Sequence, residues 1–265
     1  MGLDQKVVNA IRVLSAEGVQ KAKSGHPGMP MGAAAMAYAV WGKHMVHTNA
    51  DPKWDNRDRF VLSKGHAAPC YYAVLAAKGF ISRDEYANFR QLHSILQGHP
   101  DAKKVPGVDA STGSLGQGVS IAVGMALGAK HLGKDTKVFV LVGDGESQEG
   151  QIWEAYMAAA HYKLDNLTVI IDNNGLQIDG TNDQVMSLGN LPAKLRAFGF
   201  DLVELPDGND LDAVEAALSK LIRRELSAHR RILFNGNGYS EEWPLEAERR
   251  GLLNLRSTPE ALIHY

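Results

Sequence analysis

The sequence lacks the features that mark secreted, membrane-spanning and nucleic-acid-binding proteins. It has one cysteine, Cys70, so it offers no internal disulfide and no multi-cysteine metal site, and a reducing cytoplasm is the expected location. A net charge of -2 gives no electrostatic attraction to nucleic acid or to an anionic membrane. No apolar run approaches the roughly 20 residues of a transmembrane helix, and the amino terminus shows no secretory signal. With 45% hydrophobic residues in 265, the chain can bury one large α/β core.

The stretch at 137–180 predicts a strand, a helix and a second strand. It begins with the apolar, β-branched run KVFVLVG, continues through the helical EGQIWEAYMAAAH and reaches a second apolar run, NLTVIID. Further segments alternate in the same way, with a helix at 191–198, a strand at 201–205 and a helix at 211–226. This alternation predicts an α/β fold with a doubly wound, mainly parallel sheet flanked by helices.

Polar residues follow both strands of this unit at their carboxyl ends. The first strand leads into GDG at 143–145, and the second leads into DNNG at 172–175. Ligands of parallel sheets bind outside the carboxyl ends of the strands, so the two clusters should face one crevice. The Asp144 carboxylate, the Asn174 amide oxygen and the main-chain carbonyl near Leu176 are ligands suited to Mg²⁺, Ca²⁺ or Mn²⁺. A divalent cation that shares a phosphate ligand is therefore predicted, with a simple Asp-Gly turn as the alternative.

Three histidines lie in short loops framed by glycine or proline. His26 stands in SGHPG, His66 in SKGH at the end of a predicted strand that includes Phe60 to Leu62, and His99 in QGHP. A zinc or iron site is one interpretation, but none of the three belongs to an HxH or HxxxH pair. Imidazoles in such loops are better suited to hydrogen bonding with substrate and to proton transfer near neutral pH.

These motifs together resemble those of the transketolase family. GDG followed at this distance by NN is similar to the metal-diphosphate signature of thiamine diphosphate enzymes, and GDGESQEG and IDNNGLQIDG look like transketolase. Four further motifs occur along the chain in the same order as in the family: SGHPG at 24–28, DRFVLSKGHA at 58–67, LQGHPD at 96–101 and STGSLGQG at 111–118. The resemblance covers about residues 5 to 225 and implies the diphosphate-side domain of the thiamine-diphosphate-binding fold.

The resemblance also implies thiamine diphosphate as the cofactor and a role for particular residues. The implied catalytic residues are His26 over the reacting carbon, His66 on the diphosphate, His99 on substrate hydroxyls, and Glu149 and Glu154 in a carboxylate network across a subunit interface. The implied cofactor contacts are His66, Gly113, Leu115, Asp144, Gly145, Asn174 and Ile178. The implied metal ligands are Asp144, Asn174 and Leu176.

A complete transketolase is more than twice as long as this chain, so the resemblance implies the N-terminal subunit of a split enzyme. Its partner would be a C-terminal transketolase subunit, two copies of each forming a heterotetramer. The partner would supply the glutamate that protonates the aminopyrimidine and most of the basic residues that hold the sugar phosphate. The implied reaction moves a two-carbon ketol unit from a ketose phosphate to an aldose phosphate.

Residues 1–230 are predicted to form the diphosphate domain and residues 231–265 an atypical C-terminal tail. Arg231 to Phe234 can still be the family's next strand, but neither a basic turn nor a His-Gly follows it. A diverged tail that packs on the partner and a shifted reading frame that replaces the family's ending both stay open. In the second case the cofactor site is weakened and the chain is poorly ordered from about residue 240.

Two other functions stay open. Another thiamine diphosphate enzyme, such as a deoxyxylulose-phosphate synthase or a ketoacid dehydrogenase subunit, would share GDG and NN but not QGHP or GDGESQEG. A non-catalytic subunit that retains the cofactor site is the other alternative. Assay with a candidate partner separates the three.

Overall fold

A computed structural model describes residues 2–222 and 231–235, and these residues contain a five-stranded parallel sheet. Its strand order is β1-β2-β3-β7-β6, and every neighbouring pair is parallel. The strands are β1 (Arg59–Leu62), β2 (Val138–Gly143), β3 (Leu167–Asp172), β6 (Asp201–Leu205) and β7 (Arg231–Asn235), and a separate antiparallel hairpin pairs β4 (Leu176–Gln177) with β5 (Gly180–Thr181).

The helices cover both faces of the sheet. They are α1 (Leu3–Ala22), α2 (Gly28–Gly32), α3 (Ala34–Ala39), α4 (Ala68–Ala77), α5 (Arg83–Tyr86), α6 (Gln117–His131), α7 (Gly150–His161), α8 (Asn182–Val185), α9 (Leu191–Ala197) and α10 (Leu211–Ile222). Within the described residues, no helix is both long enough and apolar enough to cross a membrane.

The side chains of β2 pack alternately on the two faces of the sheet, which explains why the strands are continuous apolar runs in the sequence. Phe139 and Leu141 belong to the core on the side of α1, α3, α4 and α10. Val138, Val140 and Val142 belong to the core on the side of α6, α7 and α9. Since successive side chains point to opposite faces, a strand that is covered on both sides must be apolar at every position. The predicted doubly wound, mainly parallel fold is confirmed.

Cys70 lies within α4 on the α1 side of the sheet and is buried. Burial raises the pKa of its thiol to about 12. The thiol is therefore protonated at neutral pH, as expected for a small core residue.

Two helices differ from the helices that the sequence predicts. Ser82-Arg83-Asp84-Glu85 has the pattern of a capping box and predicts a helix to about Leu92. The capping box is present, but the helix ends at Tyr86. Its end has a local cause: Phe89 N–H bonds back only three residues, and Arg90 adopts a left-handed backbone (φ 56°) and donates its N–H to Leu96 O instead. The alanine-rich run MGAAAMAYAVWG at 31–42 predicts one buried helix, but the structure divides it into α2, α3 and a π-helical turn at Val40–His44.

The last described strand, β7, lies inside the sheet between β3 and β6. Ile232 and Leu233 on this strand are fully buried, one in the core on each face. The prediction that the chain at 231–234 forms a strand is confirmed. The predicted end of α10 near residue 226 and the predicted disorder from about residue 240 lie outside the described residues.

Candidate functional site

The site lies at the carboxyl ends of β1, β2 and β3, where a buried ion pair joins two strands. Lys64 Nζ, just after β1, lies 2.6 Å from Oδ2 of Asp172, the last residue of β3. Both side chains are almost completely buried. Burying two charges is costly unless they are well paired and hydrogen-bonded, so this pair fixes the loop after β1 against the end of β3.

Asp144 brings the GDG turn into contact with the DNNG turn. Its Oδ1 accepts the N–H of Gly145 at 2.8 Å, and its Oδ2 accepts the N–H of Gly175 at 2.6 Å. The two clusters that the sequence places after separate strands therefore meet directly. Burial, with the nearby charge of Asp172, raises the pKa of Asp144, although hydrogen bonds from Gly175 and Gly145 oppose this effect. A cation beside Asp144 would stabilise its ionised form.

Asn174 is oriented by its neighbours on both sides of the amide. Its Nδ2 lies 3.4 Å from Asp172 Oδ2 as donor, and its Oδ1 accepts the N–H of Leu176 at 2.9 Å. The Leu176 side chain is exposed, and that of Ile178 is 69% exposed. Both residues thus flank the turn on its open side, where a cofactor could lie against them.

The loop histidines come together above these strand ends. The rings of His26 and His66 have centroids 4.8 Å apart. Burial, followed by the charges of His26 and Lys64, lowers the pKa of His66 to about 3. Burial, followed by the charges of Arg90 and His99, also lowers the pKa of His26. Both imidazoles are therefore neutral at pH 7, and each has one donor and one acceptor nitrogen.

Close contacts between glycines place the third histidine beside the same loops. A Cβ on Gly65 would lie 2.8 Å from the main-chain N of Gly113, and a Cβ on Gly113 would lie 2.9 Å from Cγ of His99. Gly113 also has φ +147°, so a side chain is excluded there on two grounds. Tyr72 donates to the carbonyls of Gln97 and His99, both at 3.1 Å, and so fixes the QGHP loop.

The remaining predicted site residues face outward. Leu115 is 37% exposed next to Gly116, the N-cap of α6. Glu149 caps α7 and Glu154 lies on its second turn, and both are exposed on this chain. These exposed positions fit residues that meet another protein surface.

The sequence analysis does not assign a role to four charged residues near the site. Lys64 and Asp172 form the buried pair, and Glu146 accepts hydrogen bonds from three separate segments. Arg90 donates to Ser24 Oγ at 2.7 Å beside the SGHPG loop, and its charge contributes to the lowered pKa values of His26 and His99. The only available hint is position, since Lys64, Glu146 and Asp172 all lie within three residues of a strand's carboxyl end.

The residues present fit a hard divalent cation. Asp144, Glu146 and Asp172 are buried carboxyl groups, whereas Lys64 is the buried cation among them. Ionisation of all three acids would leave an excess of negative charge, which a divalent cation at Asp144 would offset. Across the described part of the chain, no three His, Cys, Asp or Glu side chains converge as metal ligands. The predicted set is of another kind, with one carboxylate, one amide oxygen and one main-chain carbonyl.

The neutral His66 predicts that acid destabilises the ligand-free chain. Below about pH 6.5 the unfolded imidazole binds a proton that the folded one, with a pKa of about 3, does not. Stability due to this group is therefore complete above about pH 6.5 and is lost as the pH falls toward 3. Between pH 7 and pH 5 the loss should be about 2 kcal/mol.

Urea unfolding of the full chain at these two pH values measures the effect. His66→Asn should reduce the difference between them by about 2 kcal/mol, whereas His131→Asn, at an exposed position on α6, should leave it unchanged. An equal acid dependence in wild type and His66→Asn would contradict the assignment.

Comparison with known proteins decides the family. Residues 3–227 match the family described as "Transketolase, thiamine diphosphate binding domain". The chain belongs to the transketolase family. Transketolase from Halalkalibacterium halodurans is 42% identical over 229 residues, which is 82% of this chain and 34% of that protein. Transketolase from Geobacillus stearothermophilus is 41% identical over 236 residues, 85% of this chain and 35% of that protein.

Solved transketolases share the fold. The structure from Campylobacter jejuni gives a TM-score of 0.82 at 36% identity and covers 89% of this chain and 38% of its own. The Pichia stipitis enzyme in complex with sedoheptulose-7-phosphate gives 0.83 at 36% identity, with 88% and 36% covered. The predicted transketolase resemblance is confirmed, and the chain spans about a third of the length of the transketolases it matches.

The end of the chain is similar to a different family. Residues 217–265 match the family described as "Glutamine synthetase C-terminal domain". This range begins within α10 and includes all of the segment predicted to be an atypical tail. The transketolase match ends at residue 227, so β7 falls in the part that matches only the second family.

Proposed function

We propose that the chain is the N-terminal subunit of a split transketolase. It binds thiamine diphosphate through Mg²⁺, Ca²⁺ or Mn²⁺ and acts with a C-terminal subunit, two copies of each forming a heterotetramer in the cytoplasm. Together they move a two-carbon ketol unit between sugar phosphates. The observation that carries the proposal is the direct contact of Asp144 with the turn after Asn174, in a chain of a thiamine diphosphate-binding family.

In this proposal the cation and the diphosphate would lie on the Asp144 side of the crevice. Asp144, Asn174 and the carbonyl of Leu176 would hold the cation, and Gly145 would lie beside the diphosphate. Neutral His66 would donate one N–H to the diphosphate. The Lys64–Asp172 pair orients Asn174, because Asp172 accepts from both the ammonium and the amide group. When bound, thiamine diphosphate would supply the carbanion chemistry of the reaction.

The substrate would pass along the histidine side. His26 and His99 would hydrogen-bond to sugar hydroxyls, and Gly113 and Leu115 would lie against the aminopyrimidine. Glu149 and Glu154 would meet the partner subunit, in keeping with their exposure. Solved relatives are described with sedoheptulose-7-phosphate and fructose-6-phosphate, which supports sugar phosphates as the substrate class.

Assay with a candidate C-terminal subunit tests this function. Ketol transfer from a ketose phosphate to an aldose phosphate would support it. Turnover confined to a 2-oxoacid would identify another thiamine diphosphate enzyme instead. Cofactor binding without turnover of either substrate class would indicate a non-catalytic subunit.

We also propose that the C-terminal tail, residues 231–265, weakens the cofactor site, since it matches a family other than transketolase. Replacing residues 231–265 with an ordinary transketolase ending should tighten thiamine diphosphate binding in the presence of Mg²⁺ by about 10-fold. The physical reason is the histidine of the His-Gly pair in the family's ending. The resemblance implies that this histidine would hydrogen-bond to the diphosphate, and one hydrogen bond to a charged group contributes about 1.5–3 kcal/mol. Isothermal titration of both proteins measures the change.

A control separates the gain of a histidine from the removal of an interfering segment. The chain ending at Asn235 keeps all of β7 and lacks everything beyond it. If the present ending already gives affinity equal to the transketolase ending, the segment is a working part and the proposal for it is wrong.

A further inference from the structure

The turn after β2 contains a buried carboxylate that the proposed cofactor contacts do not include. Glu146 follows Gly145 in the 3-10 turn at Gly145–Gln148, and its residue surface is only 3% exposed. Burial raises the pKa of a carboxyl group at such a position, whereas hydrogen bonds from Ser63, Gly116 and Gly143 oppose this effect. A buried acid persists in a fold only when its oxygens are satisfied, so its partners reveal what it does.

Those partners come from three separate segments of the chain. Oε1 accepts from Ser63 Oγ at 2.6 Å and from the N–H of Gly116 at 2.8 Å. Oε2 accepts from the N–H of Gly143 at 3.0 Å. Ser63 follows β1, Gly116 caps α6 and Gly143 ends β2. One side chain thus connects the three loops that surround the crevice.

Each donor lies within three residues, along the chain, of a residue proposed to contact the ligand. Ser63 is three residues before His66, Gly116 follows Leu115, and Gly143 precedes Asp144. The first and last belong to the diphosphate end of the cofactor, and Leu115 belongs to the aminopyrimidine end.

The surrounding packing leaves little room for these loops to adjust. A Cβ on Gly118 would lie 2.6 Å from Cα of Ser63, so the first turn of α6 touches the loop after β1. Gly116 has φ +82°, which is the left-handed region, and its N–H points to Glu146. The carboxylate also lies at the positive end of the α6 dipole, which favours its charged form.

We propose that Glu146 is a positioning residue that sets the distance between the diphosphate end and the aminopyrimidine end of the cofactor site. It is not a metal ligand in this arrangement, because its oxygens face Ser63, Gly116 and Gly143 while Asp144 faces Gly175. This inference rests on the proposed function for the identity of the ligand. The network itself rests only on the hydrogen bonds of this chain.

Hydrogen exchange of the full chain tests the network without any cofactor. In Glu146→Ala, the amides of 113–118 and 143–148 should exchange about 10-fold faster, whereas those of β3 should be unchanged. Glu146→Gln keeps one acceptor oxygen and should fall between wild type and Glu146→Ala. Glu17→Gln, which removes an exposed carboxylate from α1, should match wild type in both segments. Unchanged protection of 113–118 in Glu146→Ala would overturn the proposal.

Titration with thiamine diphosphate and Mg²⁺ tests the consequence for binding. Relative to wild type, the dissociation constant should rise about 30-fold in Glu146→Ala and about 5-fold in Glu146→Gln, from loosened loops rather than lost contacts. A merely structural role predicts equal affinity for the folded fraction of each variant, and that result would also overturn the proposal. If wild type itself shows no binding, the proposed function fails, while the exchange data still decide whether Glu146 fixes the loops.

Discussion

Replacing Asp144 with asparagine should abolish the stabilisation that Mg²⁺ and thiamine diphosphate give to the chain. Asparagine keeps the size of the side chain and one oxygen acceptor for Gly145 or Gly175, but it removes the charge that a cation needs. At a ligand concentration 100 times the dissociation constant, wild type should gain about 2.7 kcal/mol, and the variant should gain almost none. Thermal unfolding with and without both ligands measures the difference.

Asp135→Asn provides the matched control. Asp135 is exposed and precedes the opposite end of β2, so its replacement alters the same net charge without touching the site. Its ligand-dependent stabilisation should equal that of wild type. Full stabilisation of Asp144→Asn by the two ligands would remove this carboxylate from the metal site.

The chain alone should show no ketol transfer, and a C-terminal subunit should restore it. The chain matches only about a third of a complete transketolase, and the two side chains proposed to meet the partner subunit, Glu149 and Glu154, are exposed here. In the proposed arrangement the partner would supply the acid that protonates the aminopyrimidine. General acid–base catalysis contributes about 10²–10⁴ to a rate, so the activity of the isolated chain should be lower by about 1000-fold or more. A coupled assay of transfer from a ketose phosphate measures both states.

A control for the same assay is a complex that assembles but cannot bind the cation. Asp144→Asn mixed with the C-terminal subunit should co-elute with it and remain inactive, because assembly depends on exposed surfaces and activity on the metal. Robust transfer by the isolated chain at the level of the complex would rule out the split arrangement.

The central unit of the fold is predictable from sequence because its signals are local. Apolar β-branched residues fill β2 and β3, and an acidic or amide turn ends each strand. The strand-end rule then places Asp144 and Asn174 in one crevice, and the contact between Asp144 and Gly175 agrees with it. The loop histidines are identifiable by their glycine and proline neighbours.

The network beneath these residues depends on contacts between distant parts of the chain. Lys64 and Asp172 are 108 positions apart, and Ser63 and Glu146 are 83 positions apart. No helix or strand periodicity of the sequence relates residues so far apart, and a buried lysine cannot be distinguished from an exposed one by its residue type. The early end of α5 has the same kind of cause, since the Arg90 N–H is taken by Leu96 O rather than by the preceding turn.

The position of β7 has a consequence for synthesis of the chain. β6 is made before β7, yet it joins the sheet only through β7, since the order is β3-β7-β6. Until residues 231–235 leave the ribosome, β3 therefore lacks its native neighbour on one edge, and β6 lacks its native neighbour in the sheet. Segments with exposed strand edges are prone to wrong pairing while they wait. The position between β3 and β6 is buried on both faces, so it requires an apolar strand such as the one that contains Ile232 and Leu233. A polar segment at this position would leave strand edges of the nascent sheet exposed to aggregation.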